Sequence, residues 1–287
     1  MAFRHRRPPG ANVAAITATI VALLALPAAR AELLPLWEAG AGVSALQLPD
    51  YRGSSHQDRY VLPFPYFIYR GDVLKVDRDG VRAEFLESRR LTIEFSSGGS
   101  VPVHSSDDPV RAGMPDLSPT LELGPLFQYN AWKSASDNDH IDLRLPVHRA
   151  FGWDRHLIDA GTSGAVQVAW DHHLHFDTGG GNLGFLAGAL FGDRRQNSYF
   201  YSVAQAYATA QRPAYDARGG YGGWQAIAAF SRRAGPLWFG AFARYDDLSG
   251  AVFASSPLVV RDHALMMGAG VAWIFRESAE RVEAQQR

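Results

Sequence analysis

The stretch "WDHHLHFD" (170–177) holds the densest group of metal-ligating residue types in the chain. Side chains alternate along an extended strand, so Asp171, His173 and His175 share one face and His172 takes the other. Alternating histidines on one face can hold a metal ion. At the end of a membrane-crossing strand the same residues read instead as a polar girdle at the membrane–water boundary. A hydrolase needs a nucleophile, an adjacent base and an orienting carboxylate. Ser96, Ser97 and Ser100 offer hydroxyls, His140 and His148 imidazoles, and Asp142 a carboxylate, all on faces that can point inward. Nothing in their spacing brings them together, and no nucleophile motif surrounds the serines. "SGGS" (97–100) and "TGGG" (178–181) are followed by no helix and read as turns, not phosphate loops. The residues therefore point to a non-enzymatic protein with no catalytic residue, no metal site and no cofactor.

Strands must carry these groups. Period-two alternation recurs along the chain. In "HIDLRLPVH", Ile141, Leu143, Leu145 and Val147 oppose His140, Asp142, Arg144 and His148. In "LTIEFSS", Leu91, Ile93 and Phe95 oppose Thr92, Glu94 and Ser96. Such segments predict about twelve strands, over 36–47, 59–69, 72–77, 80–87, 90–98, 119–132, 139–150, 162–175, 182–193, 217–232, 235–248 and 263–275. Many approach the ~9–11 residues with which a tilted strand crosses a bilayer. The polar faces carry Glu38, Lys75, Asp77, Arg82, Glu84, Glu94, Glu122, Asp142, Arg144, Asp171 and Arg244. Buried charge must be paired or wet, so these predict either a salt-bridged plug or a polar pore.

The connections sort by length. On one side lie 69–72, 87–90, 133–139, 176–182 and 232–235, short and rich in Gly, Asp, Asn and Ser. The other side receives 48–58, 78–79, 99–118, 151–161, 194–216 and 249–262, all long except the second. Short periplasmic turns and long outer loops are the pattern of outer-membrane barrels.

The N-terminus fits export. Arg4, Arg6 and Arg7 precede an apolar run from Val13 to Leu26, and Ala29-Arg30-Ala31 offers a cleavage site. Residues 1–31 therefore read as a removable signal peptide, 32–275 as the barrel and 276–287 as a charged, solvated periplasmic tail. Cysteine is absent, which rules out a disulfide framework, and a formal net charge of -1 suggests no nucleic-acid partner. "RYVLPFPYFIYRGD" (59–72) is apolar on both strand faces, with Pro63 and Pro65 two residues apart. Both missing N–H groups must point to the same neighbour, which predicts an open ladder or bulge there. "MMGAGVAWIF" ends in Trp273 and Phe275 on an outward face, the form of a barrel's closing strand.

"LPDYRGS" (48–54), "LPFPYFIYRGD" (62–72), "DRDGVR" (77–82), "GMPDLSPTLELGP" (113–125), "DLRLPVHRAF" (142–151), "PAYDARGGY" (213–221) and "RYDDLSG" (244–250) together resemble the MipA/OmpV family of outer-membrane proteins. The resemblance implies a β-barrel in the Gram-negative outer membrane, in contact with its lipid. It also implies a scaffold that links a murein hydrolase to a murein synthase. On that reading Arg70, Asp72, Asp137, Asp139, Arg232 and Arg233 of the short turns contact the partners. A narrow solute pore lined by Arg82, Glu84, Glu122 and Arg144 is one alternative. A surface adhesin or receptor using 99–118 and the aromatic-rich 194–216 is another.

Overall fold

A computed structural model describes residues 33–71, 74–77, 80–88, 90–176 and 179–283, with the side chains of 74–87 excepted. The segment 1–31 expected to be a signal peptide, Asp72, and the side chains of Lys75, Asp77, Arg82 and Glu84 lie outside the described part.

Twelve antiparallel strands close into a barrel. In chain order they are β2 (Trp37–Pro49), β3 (Gln57–Arg70), β4 (Leu74–Asp77), β5 (Gly80–Glu87), β6 (Leu91–Ser100), β7 (Thr120–Lys133), β8 (Asp139–Trp153), β9 (Leu157–Phe176), β10 (Gly179–Gly192), β11 (Gly220–Ala234), β12 (Leu237–Asp247) and β13 (His263–Glu277). Each pairs with its sequence neighbours, and β13 closes on β2 through pairs running from Met267↔Gln47 to Glu277↔Glu38. A separate two-stranded sheet joins β1 (Leu33–Pro35) to β14 (Arg281–Glu283). Ladder closure supplies most wall backbone groups with partners, which is the condition for a sheet to stand in hydrocarbon.

Alternation decides which face meets lipid. Val43, Val61, Phe127, Leu143, Leu145, Val168, Phe185, Phe239 and Met267 point outward and are exposed. Trp224 and Tyr245 pack at 5.7 Å near the outer rim, and Trp273 and Phe275 at 5.8 Å near the opposite rim. These are the aromatic girdles of a membrane-crossing barrel. The inward face carries polar residues and glycine, including Glu38, Glu94, Asp142, Gln167 and Asp246, all buried.

Three local features differ from or sharpen the sequence reading. The 151–161 connection is not a long loop: β8 and β9 continue as a hairpin beyond the apolar band, paired as far as Trp153↔Leu157. Its alternation is masked in sequence because Trp153 and Leu157 are apolar yet stand in the open. The C-terminal tail is not wholly free, because Arg281–Glu283 pairs with Leu33–Pro35 and Leu36 N donates to Glu280 O at 3.0 Å. Two short edges supply each other's ladder, which neither could do alone. Finally, β3 pairs with β2 along its whole length but with β4 only at Tyr69 and Arg70. The two prolines therefore turn their donorless nitrogens to an edge without a ladder, the open seam their spacing predicts.

Candidate functional site

Loops over the outer mouth make their own core. Segments 50–56, 101–119, 193–219 and 248–262 bring together Tyr51, Val103, Leu117, Tyr201, Val203, Ala217, Leu248, Ala251, Phe253 and Leu258. The helix α1 (Arg194–Tyr201) is capped by Asp193, whose Oδ1 accepts from Gln196 N at 2.7 Å. It delivers Tyr201, which stacks on Phe253 with ring centroids 3.7 Å apart. Burial pushes the Tyr201 phenol up to about 12, so it stays a donor and bonds Arg52 O at 3.0 Å. Tyr51 likewise donates to Leu258 O at 2.9 Å. The aromatic stretch 197–215 thus places its Tyr199, Phe200, Tyr201 and Tyr215 in or against the cap core.

Beneath the cap the lumen holds three cavities. The outer one, about 530 Å³, is bounded by Tyr201 and Phe253 above and by Glu122, His148, Ser163, Gln167 and Arg244 on the wall. The middle one, about 440 Å³, is mainly apolar, with Leu46, Phe64, Leu186, Ile227 and Phe242 facing Arg144 and Asp171. The third, about 560 Å³, lies at the end bearing the β1–β14 sheet and is lined by Arg70, His173, His175, Arg233, Glu277 and Arg281.

Several of the sequence-predicted lumen charges in the described part are engaged. Asp142 accepts from Gln128 Nε2 and Asn130 Nδ2, both at 3.0 Å, and lies 3.7 Å from His140. Glu122 Oε2 accepts from Ser163 Oγ at 2.8 Å. Glu94 is buried on the inner face. Arg144 borders the middle cavity with a buried Nε that has no hydrogen-bond partner. Arg244 and the loop residue Arg52 both reach Asp246, at 2.9 and 3.0 Å.

The turn residues predicted to meet partners are mostly turned toward the barrel. Arg70 and Arg233 converge on the fully buried Glu38, at 3.0 and 2.6 Å. Arg233 and Arg281 both reach Glu277, at 3.1 and 2.9 Å. Asp139 holds His172 at 2.7 Å, and Arg232 lies over the Phe176 ring at 4.1 Å. Asp137, at φ 58, pairs with Lys133 at 3.4 Å.

The histidine-rich strand end behaves as a girdle, split between His172 on Asp139 and the mouth-lining His173 and His175. Three residues of ligand type meet elsewhere, at the outer rim. Donor atoms of Asp50, His56 and Asp58 lie within 4.8 Å of one another, close enough for one divalent cation. Asp50 Oδ1 sits 3.1 Å from His56 Nδ1 while its Oδ2 is buried without a partner. Burial raises the Asp50 carboxyl, and the bond to Asp50 raises the His56 imidazole.

One constellation escaped sequence reasoning. Ser96 Oγ and His148 Nε2 lie 2.7 Å apart across the intervening strand β7. His148 Nδ1 faces Glu122 Oε2 at 4.0 Å. Between serine and histidine stands Gly124, opposite Ser96 in register. A Cβ there would run into the main chain of Val147 and His148, so glycine lets the strands approach closely where the imidazole reaches across. A bare glycine in "LELGPLF" was the available signal.

A family model described as "MltA-interacting protein MipA" matches residues 41–275 of the chain. No curated protein sequence matches it. Among solved structures the chain is similar to an outer-membrane channel from Pseudomonas putida F1, with 10% identity, TM-score 0.42, and coverage of 87% of this chain and 100% of that one. It is also similar to the CymD monoaromatic hydrocarbon channel, with 10% identity, TM-score 0.35, and coverage of 85% and 89%. A Pseudomonas aeruginosa FadL homologue follows, with 8% identity, TM-score 0.26, and coverage of 84% and 90%.

Proposed function

The chain belongs to the MipA family and is an outer-membrane β-barrel, and from that premise we propose that it is a scaffold whose periplasmic mouth docks a murein enzyme of the MltA kind. The observation that carries this reading is the asymmetry of the two ends. Loops over the outer mouth pack into a cap with a buried apolar core, a construction that favours a fixed frame over an open channel. The other mouth opens into a cavity of about 560 Å³ rimmed by Arg70, Arg233, Arg281 and Glu277. Charges of both signs on a fixed frame select partners and speed encounter more than they add affinity. The β1–β14 sheet stands beside this rim.

Binding of a purified MltA-type lytic transglycosylase to the detergent-solubilised barrel tests the reading. Retention that is weakened by Arg281→Glu and by raised salt supports it. Absence of retention sinks it.

A second reading, a narrow solute pore, is favoured by the three cavities stacked along the lumen. Planar-bilayer recording separates the two: the scaffold is silent, and the pore shows steps.

A further inference from the structure

Ser96, His148 and Glu122 meet the geometric requirements of an activated nucleophile, and we propose that the lumen houses a serine esterase site for acyl esters that enter from the membrane. This goes beyond the docking role and stands independently of it.

The serine and base are within hydrogen-bond reach, Oγ to Nε2 at 2.7 Å. For Nε2 to accept the serine proton, the imidazole must carry its own proton on Nδ1, the nitrogen that faces Glu122 Oε2 at 4.0 Å. That separation is loose, as base–orienter contacts often are without substrate. Ser163, paired directly opposite His148, fixes Glu122 through its 2.8 Å bond. Glu122 is thus a positioning residue, while Ser96 and His148 are the catalytic pair.

Main-chain donors stand beside the serine. Asn130 N donates to Arg90 O, and Ser100 N reaches Thr120 Oγ1. Even-numbered residues of this strand therefore direct their main-chain groups to β7, and Ser97 and Gly99 direct theirs to the other edge. There β5 pairs with β6 no further than Phe95. The Ser97 N–H, next after the nucleophile, meets no strand acceptor among the described residues and is placed to stabilise an oxyanion.

The same edge defines the substrate. Among the described residues, no ladder joins the wall above Phe95 on β6 or above Tyr69 on β3, which leaves the edge beside Ser96 unpaired there. Pro63 and Pro65 remove two N–H groups from the facing edge, which lowers the cost of its exposure to hydrocarbon. Inside, His148 and Glu122 border the outer cavity of about 530 Å³, and the apolar middle cavity of about 440 Å³ lies next along the axis.

In the first step Ser96 Oγ bonds to the ester carbonyl carbon and its proton passes to His148 Nε2. The carbon–alkoxy bond then breaks, and the leaving alkoxide takes that proton. Water next attacks the acyl-serine, giving one proton to His148. The Oγ–carbon bond breaks, Ser96 recovers the proton, and a fatty acid leaves.

The experiment uses the purified full barrel with a fluorophosphonate probe, a soluble p-nitrophenyl butyrate and vesicles carrying a fluorogenic phospholipid ester. Mass spectrometry is expected to find the probe on Ser96. Ser96→Ala and His148→Gln should each remove labelling and cut turnover by about 10³-fold or more. Glu122→Gln should keep labelling but alter its pH profile. Heat-modifiable gel mobility verifies that each variant is folded, and Ser163→Ala serves as a milder second variant. A folded wild-type barrel with no adduct on Ser96, or turnover indifferent to Ser96→Ala, overturns the proposal. Turnover of the soluble ester alone overturns the membrane route. MltA-type binding measured on Ser96→Ala should be unchanged, which separates this test from that of the docking role.

Discussion

Arg52 Nε, on the loop between β2 and β3, lies 3.0 Å from Asp246 Oδ1 on the barrel wall. The carboxylate is fully buried and also meets Arg244 at 2.9 Å, while Arg52 Nη2 donates to Gly222 O at 2.8 Å. One loop side chain therefore ties the cap to the lumen. Arg52 O in turn accepts from Tyr201, so the tie extends to the apolar core above.

Asp246→Ala should unseat the cap. It leaves Arg52 and Arg244 facing each other without their anion, a loss of about 3–5 kcal/mol for a broken buried pair. The expected outcome is a lower midpoint for the heat-modified gel shift and new trypsin cleavage after Arg52. An unchanged midpoint would show that the apolar core alone holds the cap.

Glu38→Gln should act at the opposite mouth. Arg70 and Arg233 share this one buried carboxylate, and Arg70 also donates to Pro35 O at 2.8 Å. Removing the charge leaves two guanidinium groups in mutual repulsion. Faster hydrogen exchange at Leu33–Pro35 and Arg281–Glu283, with the outer cap unaffected, is the outcome to measure.

Gly124→Ala should damage assembly and not merely weaken it. A Cβ at this position would lie 2.0 Å from Val147 O and 3.0 Å from the His148 Cα. Main chain must move to admit it. The yield of heat-modifiable barrel on refolding into detergent should fall sharply, while a conservative change on the lipid face, Leu143→Val, leaves it intact.

Replacing Pro63 and Pro65 by valine should destabilise the barrel, although proline is ordinarily the poorer strand residue. The β2 ladder is complete through both positions, so the new N–H groups face the edge that β4 does not reach. An unpaired donor in hydrocarbon costs several kcal/mol. A raised midpoint for the double variant would contradict this.

His104 and Asp116, on an outer loop, form a pH-sensitive pair at 3.2 Å. The Ser105 N–H and then His104 hold the Asp116 carboxyl below its usual range, and Asp116 raises the His104 imidazole. The raised imidazole contributes below its ordinary value and is lost as pH rises through the folded value. The lowered carboxylate contributes above its ordinary value and is lost as pH falls through the folded one. Both act together only between those limits. An NMR titration should find His104 above its ordinary value and returning toward it in Asp116→Asn.

Strand count and inward faces were legible because lipid imposes a strict two-residue period. Ile141, Leu143, Leu145 and Val147 against His140, Asp142, Arg144 and His148 could be sorted before any coordinates. The proline pair likewise announced an unpaired edge, since a missing N–H is a covalent fact. The hairpin at Trp153 and Leu157 was not legible, because outside the membrane the polar–apolar rule relaxes. Neither was the return of Arg281–Glu283 onto Leu33–Pro35, a pairing between segments far apart in sequence.

The sequence alone determined that this chain is a lipid-facing barrel with its polar side inward, because side-chain alternation and turn chemistry are local properties. Only the tertiary structure decided which inward groups meet. Ser96, Glu122 and His148 lie on three strands, and their contact depends on register and on a glycine that leaves room between them. The same holds for Arg52 and Asp246, 194 residues apart. Such meetings follow from closing the ring, and no stretch of sequence contains that closure.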